Sequence, residues 1–305
     1  ILIIMRIVKV PNAEIIAPKG GAFAYKTEPH LPSAHMVSLF IGKRGSGKSV
    51  AMTNMVRMLN YDILYCISPT FKSNSLLLKD LNIDPDNVFD NPDDTSCVDE
   101  IIKRVEQERD DLEMYLKEKE EFEYLVAMLK RNDGDIPDEL LLKFYNGMVF
   151  APPEYKYMDK NGNPRNPFIG LIIDDAQSSK LFSTKKISNL TIKHRHIGAF
   201  DTDRASLGLS MFFLVQNYSC KQGGLDRSIR NNCTNAVVFK SKDESELAKI
   251  SSEMSGEVSK DDFMTAYEYA MTDGDYPFLF VDLHRRKNDH PSMFRSRYDK
   301  FICLE

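Results

Sequence analysis

Apolar residues in this chain gather into short unbroken blocks. Met36-Val37-Ser38-Leu39-Phe40-Ile41 is the first clear one, followed by Ile63-Leu64-Tyr65-Cys66-Ile67 and Phe168-Ile169-Gly170-Leu171-Ile172-Ile173. Met211-Phe212-Phe213-Leu214-Val215, Ala236-Val237-Val238-Phe239 and Phe278-Leu279-Phe280-Val281 come later. The blocks are continuous rather than alternating, which predicts strands covered on both faces in a mostly parallel sheet. Helix-compatible stretches such as Val50–Val56 lie between them, so strands and helices alternate along the chain.

The stretch from Val98 to Leu129 is patterned differently. Val98, Ile101, Val105, Leu112, Tyr115, Phe122, Val126 and Leu129 fall on one helical stripe, with dense charge between them. The spacing predicts a long, partly exposed helix or helical hairpin that ends before Asn132-Asp133-Gly134. It belongs to a charged helical insertion over residues 95–150, read as a solvated face, with a subunit or partner contact as the alternative. Residues 152–167 form a turn-rich loop leading into the next strand.

Composition adds limits rather than identity. With 305 residues, 42% hydrophobic and 28% charged, the chain suits one large α/β domain or two smaller ones. No apolar run approaches the roughly 18–20 residues needed to span a bilayer, so no membrane-spanning segment is expected. Ile1–Ile4 are too few for a signal peptide and precede Met5, which reads as a natural start. With Arg6–Val10 they predict a strand, placing a strand-containing segment at residues 1–34. Five scattered cysteines without a C-x-x-C pair point to reduced thiols in a cytosolic setting and away from zinc.

The net charge of −5 makes no global case for nucleic acid, so any such case rests on local patches. Two qualify: Lys180, Lys185, Lys186 and Lys193, with Phe182 beside them as a pore-loop candidate, and a basic C-terminal tail over residues 284–305. The tail carries His284-Arg285-Arg286-Lys287, Arg295, Arg297 and Lys300. No helix-turn-helix, zinc-finger or OB signature accompanies them, so sequence-specific readout is not expected.

The chemistry concentrates after the first block. Residues 42–49 read Gly42-Lys43-Arg44-Gly45-Ser46-Gly47-Lys48-Ser49, the G-x-x-x-x-G-K-[ST] pattern between a predicted strand and a predicted helix. The glycines let the backbone form a nest whose N–H groups face phosphate oxygens. Lys48 reaches the β- and γ-phosphates, and the Ser49 hydroxyl is a ligand for Mg²⁺ at the positive end of a helix. These residues predict a P-loop that binds ATP with Mg²⁺. The fold class that follows is α/β, a P-loop NTPase of RecA/ASCE-like type with helices on both faces of the sheet.

A second half-site is legible at Leu171-Ile172-Ile173-Asp174-Asp175, an apolar run ending in two carboxylates. Asp174 is expected beside Ser49 as a metal ligand, and Asp175 as the group that orients and deprotonates the attacking water. Another strand separates the two motifs in sequence. The block Met211–Val215 ends in Gln216-Asn217, where an amide at the sheet edge could sense the γ-phosphate.

These motifs, with Arg195-His196 before the Gln216 strand and Ser228-Ile229-Arg230-Asn231-Asn232 after it, resemble the FtsK–HerA superfamily. Within it, F-L-V-Q-N-Y followed by S-I-R-N-N-C is most similar to the DNA-packaging ATPases of large eukaryotic DNA viruses and virophages. The resemblance covers residues 36–283, inside an expected ATPase core of 35–283. It implies ATP-driven translocation of double-stranded DNA, without sequence preference, into a preformed capsid by a homo-oligomeric ring. It also implies a capsid or portal-vertex partner, and a location in host cytoplasm at the viral factory and in the virion, or cytoplasmic if the protein is cellular. The family's trans-acting arginine sits just before the sensor strand, which favours Arg195, with Arg230 second and Arg227 third. His194 and His196 read as structural or solvated. A cellular HerA-like translocase and a nucleotide-dependent assembly switch are the alternative readings.

Overall fold

The computed structural model describes residues 27–71, 80–131, 136–201, 206–219, 224–256, 258–285 and 290–304. The expected N-terminal strand, Cys220, Arg286 and Lys287 lie outside the described residues. The apolar blocks form β1 (Val37–Ile41), β2 (Ile63–Ile67), β4 (Ile169–Asp174), β5 (Ser210–Val215), β6 (Asn235–Phe239) and β7 (Phe278–Asp282). Three short strands join them: β3 (Val88–Phe89), β8 (Phe294–Ser296) and β9 (Lys300–Ile302). Together they make one sheet ordered β3-β2-β4-β5-β1-β6-β7-β8-β9. The first six strands pair in parallel, while β7, β8 and β9 add on antiparallel.

Both faces of the central strands are buried, which is why their sequences do not alternate. Leu39, Ile41, Ile173, Met211 and Phe213 point to one side, and Phe40, Ile172, Phe212, Leu214 and Val237 to the other. On the second side α1 (Lys48–Leu59) covers the sheet with Met52, Met55, Val56 and Leu59. On the first side lie α2 (Ser96–Arg131), α5 (Lys185–Lys193), α7 (Glu244–Met254) and α8 (Lys260–Ala270). Each fully buried Leu, Ile, Val or Phe contributes about 1.5–3 kcal/mol of apolar transfer, so these two layers dominate the favourable side of folding.

The predicted insertion contains one continuous helix of 36 residues. Its first half buries Val98, Ile101, Val105, Leu112 and Tyr115 against the sheet. Its second half meets α3 (Asp138–Phe144): the rings of Phe122 and Phe144 lie 5.3 Å apart, and Lys143 pairs with Glu118 and Glu121. Leu125 is buried in this half, whereas Leu129 is exposed. A 3.6-residue period rotates the buried stripe over many turns, so the far end of the predicted stripe is displaced. Two short helices, α4 (Lys180–Ser183) and α6 (Arg227–Asn231), complete the set used below.

The expected basic tail is different in kind. Residues 294–302 close the sheet as β8 and β9. Arg295 is buried, donates to the His30 carbonyl at 2.8 Å, and lies 3.9 Å from Asp282. Its guanidinium also covers the ring of Phe301 at 4.5 Å. Lys300 pairs with Asp273 at 2.8 Å, and Arg297 lies 3.9 Å from the same carboxylate. Three-residue strands are too short to show a period, so their charges read as an available basic patch, whereas in the fold Arg295 is buried and Arg297 and Lys300 sit at Asp273. Phe182 is likewise no free pore-loop aromatic: it packs on the core, with its ring edge-on to Phe213 at 6.1 Å.

Candidate nucleotide site

Strand β1 ends at Ile41 and the chain turns at once into α1. A side chain at Gly42 would place a Cβ 2.6 Å from Ser46 Oγ and 2.8 Å from Phe239 Cβ, so only glycine fits there. Gly47 caps the helix at φ 97°, a left-handed conformation that glycine adopts without strain. The first turn of α1 carries no acidic residue and no side-chain cap, so its N–H groups are open to an anion. Lys48 is buried and folds back, donating from Nζ to the carbonyls of Gly42 at 2.7 Å and Lys43 at 3.0 Å. Burial lowers its pKa, against the pull of Asp174 and Asp175.

Strand β4 delivers the two carboxylates to the same edge. Register pairs Ile41 with Val215 and Asp174 with Leu214, so β1, β5 and β4 end nearly level. In space β5 lies between the P-loop strand and the Asp174 strand, an order that sequence position alone does not reveal. Asp174 is buried, and its pKa is pushed up to about 6, first by that burial and then by the charge of Asp175, with Lys48 pulling the other way. Asp175 takes φ 50°, a left-handed value that Asp tolerates better than most residues, and turns out into solvent. It accepts from Thr70 Oγ1 at 3.3 Å and from Gln216 Nε2 at 3.5 Å.

Arg44, Gly45, Lys48, Ser49, Thr70, Asp174, Asp175 and Gln216 line one cleft of about 670 Å³. Strand order, phosphate turn and paired carboxylates together decide the architecture. The chain has the P-loop NTPase fold.

The residues fit a triphosphate with its cation. Lys48 spends its ammonium on loop carbonyls, Ser46 Oγ is buried without a hydrogen-bond partner, and Asp174 is a buried carboxylate that lines the same cleft as Ser49. No cluster of three His, Cys, Asp or Glu side chains that could hold a metal is present among the described residues. A cation here would thus draw on Ser49, Asp174, phosphate oxygens and water, the hard oxygen set that suits Mg²⁺.

Two contributors escaped the sequence. Thr70 follows β2 with no motif to announce it. Gln177 lies two residues past the carboxylate pair and extends the sheet with its side chain. Its Oε1 accepts from Gln216 N at 2.6 Å and Asn217 N at 3.2 Å, while its Nε2 donates to Asn217 O at 2.8 Å. Asn217 Oδ1 in turn accepts from Lys43 Nζ at 3.2 Å, tying the end of β5 to the phosphate turn.

The arginines separate cleanly. Arg195 is exposed in a 3₁₀ turn after α5, and makes no hydrogen bond or ion pair to a described residue. That turn is fixed at the amino edge of the sheet: Leu209 N donates to His194 O, and His194 Nε2 bonds His35 O. The length of β5, roughly 20 Å at 3.3 Å per residue, separates it from Gln216. Arg230 is committed inside its own chain, donating to Glu253 at 2.9 Å and lying over the ring of Tyr218 at 5.3 Å. Tyr218 OH donates to the same Glu253 at 2.6 Å. The Q-N-Y and I-R-N-N runs therefore meet in a partly buried clamp through Glu253, and Arg230 is a structural arginine rather than a free one. Arg227 is exposed at the start of α6.

No family model matches the chain, and no curated protein matches it. Among solved structures it is similar to the genome packaging NTPase B204 from Sulfolobus turreted icosahedral virus 2. With AMP bound, the TM-score is 0.41 at 15% identity, covering 81% of this chain and 92% of that one. With sulfate, it is 0.43 at 13% identity, covering 88% and 98%. The monomer form of the pCW3 conjugation coupling protein TcpA with ATPγS gives 0.36 at 17% identity, covering 81% of this chain and 57% of that one.

Proposed function

We propose that the protein is an ATP-hydrolysing motor that moves double-stranded DNA, of the kind that fills a preformed viral capsid. The observation that carries the hydrolytic reading is the single cleft in which Lys48, Ser49, Asp174, Asp175 and Gln216 converge. The turn and the open end of α1 bind the phosphates, and Lys48 leaves its loop carbonyls to reach the β- and γ-oxygens. Ser49 and Asp174 would hold Mg²⁺, which would supply positive charge against the phosphate oxygens. Asp175 takes a proton from the water that attacks the γ-phosphorus while the bond to the β-phosphate oxygen breaks and ADP leaves. Gln216, already in contact with Asp175, reports the γ-phosphate to β5.

Arg195 completes the site only from another copy. At the far edge of the sheet it is out of reach of its own P-loop, whereas in a ring that edge can face the next subunit's cleft. Its charge is permanent and its guanidinium unclaimed, the two properties a transition-state cation needs. Lys180 and Lys185 are exposed just after β4, which supports a role for them in following hydrolysis and touching DNA phosphates. Further copies of the chain, DNA and a capsid or portal-vertex protein are the partners this reading requires.

Hydrolysis measured with and without double-stranded DNA tests the proposal. Stimulation that fades steeply with salt is expected, because phosphate contacts release counterions. Turnover indifferent to DNA would leave an assembly switch instead. Arg195→Ala subunits should bind ATP without hydrolysing it, and mixing them with Lys48→Ala subunits should restore part of the activity. Verified mixed assemblies without rescue would remove the trans role.

A further inference from the structure

The crest of the phosphate turn separates two clefts. Arg44 and Gly45 line both the catalytic cleft and a second one, of about 960 Å³, on the β6 side. Beyond the phosphate turn, Lys240, Lys242, Asp243, Glu244, Tyr276 and Pro277 wall the second cleft.

Tyr276 is the unusual residue there. It is 68% exposed although aromatic, and its φ of 54° puts a bulky side chain in the left-handed region, where such residues are genuine outliers. Strain of this kind persists only where the surroundings fix it, and it gathers at ligand clamps. The surroundings do fix it. Gly274 turns the chain at φ 71°, Pro277 follows, and Asp273 is bound by Ser296 and Lys300 of the sheet edge. The ring lies against the phosphate turn: a Cβ on Gly47 would be 3.3 Å from Tyr276 Cδ1. The residue thus stands at the opposite side of the turn from Asp174 and Asp175 and lines the second cleft.

A nucleoside triphosphate spans such a crest. With its γ-phosphate toward Asp175, its base must leave on the other side. We propose that Tyr276 is the stacking platform for the nucleobase, which lies in the cleft toward Lys240 and Lys242. This rests on the nucleotide-binding reading above and deepens it. Every base has a π-face, so the platform accepts purines and pyrimidines alike.

Calorimetric titration of the full chain with ATP and with inorganic tripolyphosphate, both with Mg²⁺, tests the assignment. Tyr276→Ala and Tyr276→Asn should weaken ATP binding about 10-fold or more, the usual cost of losing one stacked base, and leave tripolyphosphate binding unchanged. Tyr276→Phe should bind both as the wild type does. The Asn variant tolerates the left-handed backbone, so it isolates the ring from the turn's geometry. Wild-type ATP affinity in both ring-less variants would overturn the proposal, as would equal losses for ATP and tripolyphosphate. A wild-type chain that binds neither ligand would overturn the nucleotide reading itself, and the platform with it.

Discussion

Two strands of this sheet end in a buried aspartate, and the two aspartates have opposite fates. Asp174 closes β4 and Asp282 closes β7, each 4% exposed. Because β7 runs antiparallel to β6, with Asp282 opposite Asn235, its end lies at the edge away from the phosphate turn. Burial pushes both carboxyls above the usual range. Around Asp282 the chain supplies its own answer: His290 Nδ1 at 3.3 Å, Arg295 at 3.9 Å, and the His284 N–H at 3.2 Å. His290 and Arg295 pull its pKa back down. Asp174 faces another carboxylate and one lysine turned onto loop carbonyls. A buried charge compensated from within is part of the frame; one left for an external cation is part of a site.

The largest effect that would break this contrast lies beside Asp174. Asp175→Asn should retain ATP binding while turnover falls by roughly 10²–10⁴, the range for a positioned base. Steady-state hydrolysis alongside equilibrium binding checks it, and full turnover would place the base elsewhere.

At the other edge the expected loss is of fold rather than of chemistry. Asp282→Ala leaves Arg295 buried without its counter-charge, which should cost about 3–5 kcal/mol in unfolding free energy. Nucleotide affinity of the folded fraction should not change. Denaturant unfolding reads the first and ATP titration the second; a cost below about 1 kcal/mol would deny Asp282 its structural role. Removing residues 284–305 deletes β8, β9 and Arg295 together, so that truncation should unfold the domain rather than merely weaken DNA binding.

The same contrast explains what was legible in the sequence. Residues 42–49 and 171–175 could be read because phosphate chemistry fixes residue types at fixed local spacing. The six long strands could be read because burial on both faces leaves continuous apolar blocks. Thr70 and Gln177 could not, since each acts through a neighbour brought close only by the strand order. Arg230 and Arg295 were misjudged for a related reason. A charge in a sequence reads as available, and only the fold shows that Glu253 and Asp282 already hold it.

The smallest effect is the most diagnostic. In the metal-free protein Asp174 titrates near 6 when folded, against 3.8 for an ordinary aspartate. A carboxyl whose pKa rises on folding binds more protons in the folded state. Its contribution to stability therefore falls as pH climbs from about 4 to 6, and the full penalty remains above that window. A difference of that size corresponds to about 3 kcal/mol. Asp174→Asn carries no charge at any pH, so in chelator it should be more stable than wild type at pH 8 by up to that amount, with little difference near pH 4. It should also lose hydrolysis, and Mg²⁺ with nucleotide should stabilise it far less than wild type. Unfolding midpoints of both proteins across that pH range decide the matter. A stability difference that ignores pH would mean that Asp174 is compensated inside the chain, as Asp282 is, and the contrast between the two edges would fall.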